Sequence, residues 1–329
     1  MLIHKSIAVE RAATVNRPKN TKYFDAIRKI GYSLIILIVF TGYVHGQPKL
    51  SPGDHFAQIN GNKIHYFISG HGPVCLTPAP GWGIGSDYMR TLKPFEKHLT
   101  MVYYDTRMSG QSTGPDDAAK YTGQDLLEDM DSLRVYLGQS KVWLTGHSGG
   151  GFQVLNYGIY HSDHLYGIIS LDAQAVHDSL STAGMMNTID KRKGAPYYAA
   201  AKNAFLGTDS IKRTAEQFLV IIFPLYFHDT EKTARFPKNL PVNGRTMGYA
   251  EKSRMFAKNL LPDLYKITVP VLIYVGDDDF ICGESQSRRI HQNIPSSELV
   301  IIRDAGHFPW IEQPEQFYQA FERWIKKYI

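Results

Sequence analysis

Gly146-His147-Ser148-Gly149-Gly150 places a serine between small residues in a G-x-S-x-G pattern. A serine hydroxyl is a weak nucleophile until a base within hydrogen-bond reach takes its proton, and that base needs a carboxylate to hold it in the right tautomer. Two later segments supply such partners in the order Ser, Asp, His. Asp277-Asp278-Asp279 follows the apolar run 271–276, and His307 lies in Asp304-Ala305-Gly306-His307-Phe308 after the apolar run 299–302. The chemistry available to this set is acyl transfer: attack on a carbonyl, a covalent acyl-serine, and its hydrolysis by water. Three adjacent aspartates leave the identity of the orienting acid open at this stage. Asp172, at the end of the run 168–171, is a further rival.

These groups need a scaffold that presents loops at one edge. The run 141–145 before Ser148 reads as a short buried strand. Residues 149–160 after it read as a helix with Phe152, Leu155 and Ile159 on one face. Elsewhere, 56–60 and 63–69 read as a hairpin turning at Gly61-Asn62, and 74–76 and 101–104 as strands. Residues 123–138 read as a helix with Leu126, Leu127, Met130, Leu133 and Leu137 at helical spacing, and 317–328 as an amphipathic helix. Strands alternating with helices imply a mostly parallel sheet of about eight strands covered on both faces, with the candidate Asp and His on loops at the carboxyl ends of strands. The alternation stops between 173 and 265. That stretch reads as a helical cap, with 47–172 and 266–329 forming the α/β core.

The formal charge of +5 comes from the start of the chain. Residues 1–30 hold seven of the 36 Lys/Arg and two of the 31 Asp/Glu, residues 31–46 hold none, and the rest holds 29 of each. A basic nucleic-acid surface is therefore not expected. Arg28-Lys29 precede the apolar run 30–44, centred on 34–40, and Val44-His45-Gly46 precede Gln47. This is the layout of a secretory signal, with cleavage before Gln47. The run is about 15 residues, short of the roughly 20 that span a bilayer, and the alternative is an uncleaved anchor through 30–44. Either places the body outside the cytoplasm, periplasmic or extracellular. There is no H-E-x-x-H, no clustered Cys/His set and no Gly-rich dinucleotide fingerprint, so neither metal nor cofactor is expected.

From about Gly53 onward the chain resembles the α/β-hydrolase family, and within it the proline iminopeptidase-like branch. Gly276-Asp277-Asp278-Asp279 is similar to the family's G-x-x-D, which singles out Asp279. Asp279-Phe280-Ile281-Cys282 is similar to the D-x-x-C of proline iminopeptidases. Asp105-Thr106-Arg107-Met108-Ser109-Gly110-Gln111-Ser112 resembles D-x-R-G-x-G-x-S, with Met108 for one glycine. Thr77-Pro78-Ala79-Pro80-Gly81 falls where the family has H-G-G-P-G. The resemblance implies Ser148 as nucleophile, His307 as base and Asp279 as acid. It implies an oxyanion site from the backbone N–H groups of Ala79 and Gly149, since Pro78 has none to give. The resemblance also implies that Cys75 and Cys282 sit on separated strands and remain free thiols.

Two departures bear on substrate. Thr77-Pro78 replaces His-Gly, and His147-Ser148-Gly149 stands where proline iminopeptidases resemble Gly-Ser-Trp. The expected activity is cleavage of an N-terminal residue from a short peptide, or of a small or lipophilic ester; the alternative is a non-catalytic ligand-binding protein on the same fold. An aminopeptidase needs a carboxylate for the substrate amine, and Glu216, Asp229 and Glu231 in the cap are the candidates. Trp82, His147 and Phe223 are the other pocket candidates.

Overall fold

The computed structural model describes residues 50–238 and 240–329. The expected signal or anchor, residues 1–46, lies outside the described residues. Among the described residues no helix is long and apolar enough to cross a membrane.

Strands β1 (Gly53–Ile59) and β2 (Asn62–Gly70) form an antiparallel hairpin. Its two turn residues, Asn60 and Gly61, both take positive φ (49° and 80°), a conformation that asparagine and glycine tolerate best. Then come β3 (Val74–Pro78), β4 (Thr100–Tyr104), α1 (Gly123–Tyr136), β5 (Val142–His147), α2 (Gly149–His161) and β6 (Leu165–Leu171). Four helices follow without a strand: α3 (Ser179–Asp190), α4 (Tyr198–Leu206), α5 (Ala215–Ile222) and α6 (Gly244–Lys252). The sheet resumes with β7 (Val271–Gly276), α7 (Glu284–Asn293) and β8 (Ser297–Ile302), and the chain ends with α8 (Pro309–Glu312) and α9 (Pro314–Ile325).

The eight strands are ordered β1-β2-β4-β3-β5-β6-β7-β8, antiparallel at the β1/β2 and β2/β4 pairs and parallel from β4 to β8. Alternation along β5 shows how both faces are buried. Val142 and Leu144 join the cluster that holds Leu126, Met130, Leu133, Val154 and Leu155. Trp143 between them joins the opposite cluster of Phe95, Phe317, Phe321 and Trp324, meeting Trp324 edge-on at 5.6 Å. A parallel sheet covered on both sides leaves its loops at one carboxyl edge as the accessible place for chemistry.

The D-x-R segment builds that edge. Asp105, just past β4, accepts from Ser86 N–H at 2.7 Å, Ser86 O–H at 2.9 Å and Gln111 N–H at 2.8 Å, and faces His65 Nδ1 at 2.9 Å. Arg107 forks onto Asp129 at 2.7 and 2.8 Å and onto the Lys120 carbonyl at 2.6 Å, so it ties its loop to α1. Burial opposes the charge of His65, but Asp105 and Asp54 more than offset it and raise its pKa above 6.5. Burial likewise opposes the charge of Asp105, but its hydrogen bonds with His65, Gln111 and Ser86 hold the carboxyl below 3.8. The His65 contribution to stability is therefore present below pH 6.5 and lost as pH rises through its raised value, whereas the Asp105 contribution is lost only as pH falls below 3.8. Thermal unfolding of His65→Gln against the parent chain should show the largest gap below pH 6.5 and a shrinking gap above it. A gap constant across that range would contradict this assignment.

Candidate active site

Ser148 sits at the β5–α2 junction with φ 56° and ψ −121°, a strained conformation for a residue with a side chain. The strain is held by close approach on both sides. A Cβ on Gly146 would fall 2.2 Å from the Gly150 carbonyl, and one on Gly151 would fall 2.5 Å from Ala173 Cβ. The small residues of the pattern thus let strand, turn and helix meet. The turn leaves Ser148 half-buried rather than sealed. Gly149 opens α2, so its N–H has no intrahelical partner and carries the positive end of the helix.

Of the three adjacent aspartates, geometry selects one. Asp279 Oδ2 lies 2.9 Å from His307 Nδ1, and both side chains are buried. Asp279 Oδ1 accepts from Ile281 N–H at 2.9 Å and Cys282 N–H at 3.2 Å. Asp278 instead pairs with Arg192 and His228, and Asp277 faces Arg303. An ionised carboxylate only accepts, so His307 Nδ1 carries the hydrogen and Nε2 is left with a free lone pair. The two loops are pressed together at Gly276, where a Cβ would fall 2.0 Å from the Gly306 carbonyl. His307 N–H donates to Tyr226 O at 2.7 Å, and Gly306 N–H to Glu312 Oε2 at 2.6 Å.

Ser148 makes no hydrogen bond to His307 in this structure; its hydroxyl lies near the Cys282 thiol. Cys282, Asp279 and His307 bring ligand-type atoms within 4.8 Å of one another. Contacts between a nucleophile and its base are often long before substrate binds. Burial, reinforced by Asp279 and Asp172, keeps the Cys282 thiol protonated, which suits neither a nucleophile nor a metal ligand. Cys75 is buried beside Thr145 and its pKa is pushed up to about 12; both cysteines are free. A second ligand-type cluster, Asp131, His161 and His164, lies apart from the site, and its carboxylate is already held by Arg134 and Tyr157.

Several pocket expectations need correction. His147 does not face a substrate. The strand period turns it away from Ser148, and it is buried between Tyr88 O–H on Nδ1 at 2.8 Å and the His307 carbonyl on Nε2 at 2.8 Å. Because a carbonyl only accepts, Nε2 carries the hydrogen. Burial, and then the neighbouring His307 imidazole, hold His147 well below 6.5, so it stays a neutral brace under the His307 loop. Glu216 is exposed and turned onto its own backbone N–H and Thr214 at the start of α5. Ala79 N–H, expected as an oxyanion donor, is spent on Tyr104 O at 2.9 Å, because the β3–β4 ladder runs one residue past Pro78. Phe223 packs with Phe227, Phe236 and Phe308 beside the His307 loop. Trp82 is half-buried against Phe256, beside Gly149.

The residue that sequence reasoning undervalued is Asp172. It sits at the end of β6 with φ 45°, fully buried, and its Oδ1 accepts from Gly276 N–H at 2.9 Å. Its Oδ2 has no hydrogen-bond partner among the described residues. Burial, then the neighbouring Asp279 charge, raises its pKa well above 3.8, so it stands as a neutral acid beside Asp279. Its position one residue beyond a strand was the only sequence signal. A carboxyl kept protonated in the fold costs stability as pH climbs above 3.8. Asp172→Asn keeps the Gly276 contact and tolerates positive φ. Its melting temperature relative to the parent should rise from pH 4 to pH 8, with kcat/KM within about tenfold. A pH-independent difference would contradict a protonated Asp172.

The family model for the alpha/beta hydrolase fold matches residues 79–314. A proline iminopeptidase of Pestalotiopsis fici is 26% identical over 83% of this chain and 99% of its own. A 3-oxoadipate enol-lactonase of Acinetobacter baylyi is 29% identical over 69% of this chain and 78% of its own. Among solved structures, an alpha/beta fold family hydrolase from Bacillus anthracis superposes with a TM-score of 0.68 at 20% identity, covering 82% of this chain and 98% of that one.

Proposed function

Since the chain belongs to the α/β-hydrolase family, a premise carried by a match over most of its length, we propose that it is a serine hydrolase that works through an acyl-enzyme on Ser148. The observation that carries this is the buried 2.9 Å contact between Asp279 and His307 beside a strained, accessible Ser148. In the first half-reaction Ser148 Oγ attacks the substrate carbonyl carbon, the π pair moves onto oxygen, and His307 Nε2 takes the hydroxyl proton. The tetrahedral adduct collapses, the leaving group departs with the proton from His307, and the acyl group stays on Oγ. Water, deprotonated by the same nitrogen, then releases the acid. Asp279 keeps Nδ1 protonated and stabilises the imidazolium.

The substrate that fits is a neutral carboxylic ester or lactone. An α-amino substrate needs a free carboxylate, and the cap acids considered for that role are engaged or exposed: Glu216 at its own helix start, Asp229 on the Glu231 N–H, Glu231 at the surface. Around Gly149 and Gly81 the nearest side-chain atoms come from Trp82, Phe256, Met255 and Gln153, none of them charged. The Acinetobacter relative carries a lactonase name. The second reading, removal of an N-terminal residue from a short peptide, is favoured by the iminopeptidase names of other relatives. Turnover of short-chain nitrophenyl esters and simple lactones against prolyl and alanyl arylamides separates the two. Ester or lactone turnover alone supports the first. Arylamide turnover that disappears when the amine is blocked supports the second, and silence on all of them leaves the non-catalytic alternative. Export through residues 1–46 belongs to the same proposal, and the N-terminal residue of the chain isolated from cells tells a signal cleaved before Gln47 from a retained anchor.

A further inference from the structure

An acyl-transfer site needs two donors for the oxygen on which charge develops, and the segment after β3 is poorly supplied with them. Pro78 and Pro80 have no N–H, and Ala79 N–H is committed to Tyr104 O. Pro80 presents only its carbonyl near Gly149, an acceptor where a donor is needed. Gly149 N–H is thus one donor, and after residues 78–80 the candidates for the second are Gly81 N–H and the side chain that follows it.

The indole of Trp82 stands beside Gly149. A Cβ built on Gly149 would lie 3.2 Å from Trp82 Nε1. The Gly149 nitrogen is about 2.5 Å from that Cβ position by covalent geometry, so the two nitrogens are no more than about 5.7 Å apart. One oxygen about 2.9 Å from each can therefore bridge them, within the range such donors use. Nε1 is donor-only, and it has no hydrogen-bond acceptor among the described residues. The ring packs on Phe256, with centroids 5.1 Å apart; Phe256 also approaches Gly149 and meets Phe152 edge-on at 5.3 Å. The donor is therefore fixed by packing before substrate arrives.

We propose that the Trp82 indole N–H is the second donor of the oxyanion site, sharing the acyl oxygen with Gly149 N–H. This deepens the acyl-enzyme reading and rests on it. When Ser148 Oγ bonds to the carbonyl carbon and the π pair moves to oxygen, the resulting anion accepts from the helix-start N–H and from the indole. The indole thereby replaces the backbone donor that the two prolines and the extended β3–β4 ladder remove. As the two hydrogen bonds strengthen on formation of the anion, the contribution falls on kcat rather than on KM.

The test uses the full chain on whichever substrate it turns over, beside Ser148→Ala. Trp82→Phe keeps an aromatic ring against Phe256 and removes the donor, at the loss of some ring area. The expected result is a fall in kcat of about 10²-fold or more with KM within about threefold. Affinity for a trifluoromethyl ketone, which forms a tetrahedral adduct with the serine, should fall in parallel. Trp82→His, which restores a ring N–H, should recover part of the loss. Phe256→Leu, which loosens the packing without removing the donor, should cost much less. A Trp82→Phe chain with near-parental kcat while Ser148→Ala is dead would overturn the proposal and leave Gly81 N–H as the donor. A rise in KM alone, or an equal loss in Phe256→Leu, would overturn it in favour of a packing role. Activity in Ser148→Ala would defeat the underlying reading itself.

Discussion

Ser148→Ala is expected to lower kcat by at least about 10⁴-fold while the chain stays folded. The size follows from the chemistry: without Oγ there is no acyl-enzyme, and only binding and oxyanion stabilisation remain. The fold should be indifferent. Ser148 Oγ caps no helix, since α2 has no side-chain cap at that position, and the turn is fixed by Gly146, Gly151 and the Ser148 N–H to Leu171 O bond at 2.9 Å. Alanine also relieves none of the positive-φ strain, because it too has a Cβ. An unchanged melting curve with lost turnover is the expected pair of results. Lost turnover accompanied by a lower melting temperature would point to structure instead.

Asp279→Asn is expected to cost about 10⁴-fold in kcat, close to the loss on removing the serine. Asparagine fits the space, and its carbonyl can still accept from Ile281 and Cys282 N–H. Its amide nitrogen then faces His307 Nδ1 as a donor. The imidazole must present a lone pair there and carry its hydrogen on Nε2, which removes the base. Asp172 makes no hydrogen bond to His307: it is fully buried, and its Oδ1 accepts from Gly276 N–H. Kinetics together with a histidine nitrogen NMR spectrum check this. The expected outcome is loss of turnover with the Nε2-protonated tautomer at His307. Retained turnover would mean that His307 does not depend on Asp279.

The parallel strands were legible because each carries a short apolar run, and strands buried on both faces need no alternation; the β1–β2 hairpin was legible from its Asn60-Gly61 turn. Ser148 and His307 were legible because each follows such a run. Among 277–279 the spacing alone could not choose, since all three lie beyond the strand end. What selects Asp279 is ion pairing of its neighbours with Arg192, His228 and Arg303, which come from distant segments. Ala79 was misjudged because whether an N–H is free depends on how far the β3–β4 ladder continues, a matter of register rather than residue type. His147 was misjudged for a related reason, since its direction follows from the strand period up to a turn whose geometry is strained. Asp172 carried no signal beyond its position, because its importance lies in what the fold packs around it.

The central claim is that His307 makes the Ser148 hydroxyl nucleophilic. A fluorophosphonate, which phosphonylates activated serines, followed by intact mass and peptide mapping, tests it most directly. The account predicts one phosphonyl group per chain, on Ser148, and none in His307→Gln. Label on another residue, or labelling of Ser148 that persists without the imidazole, would contradict it.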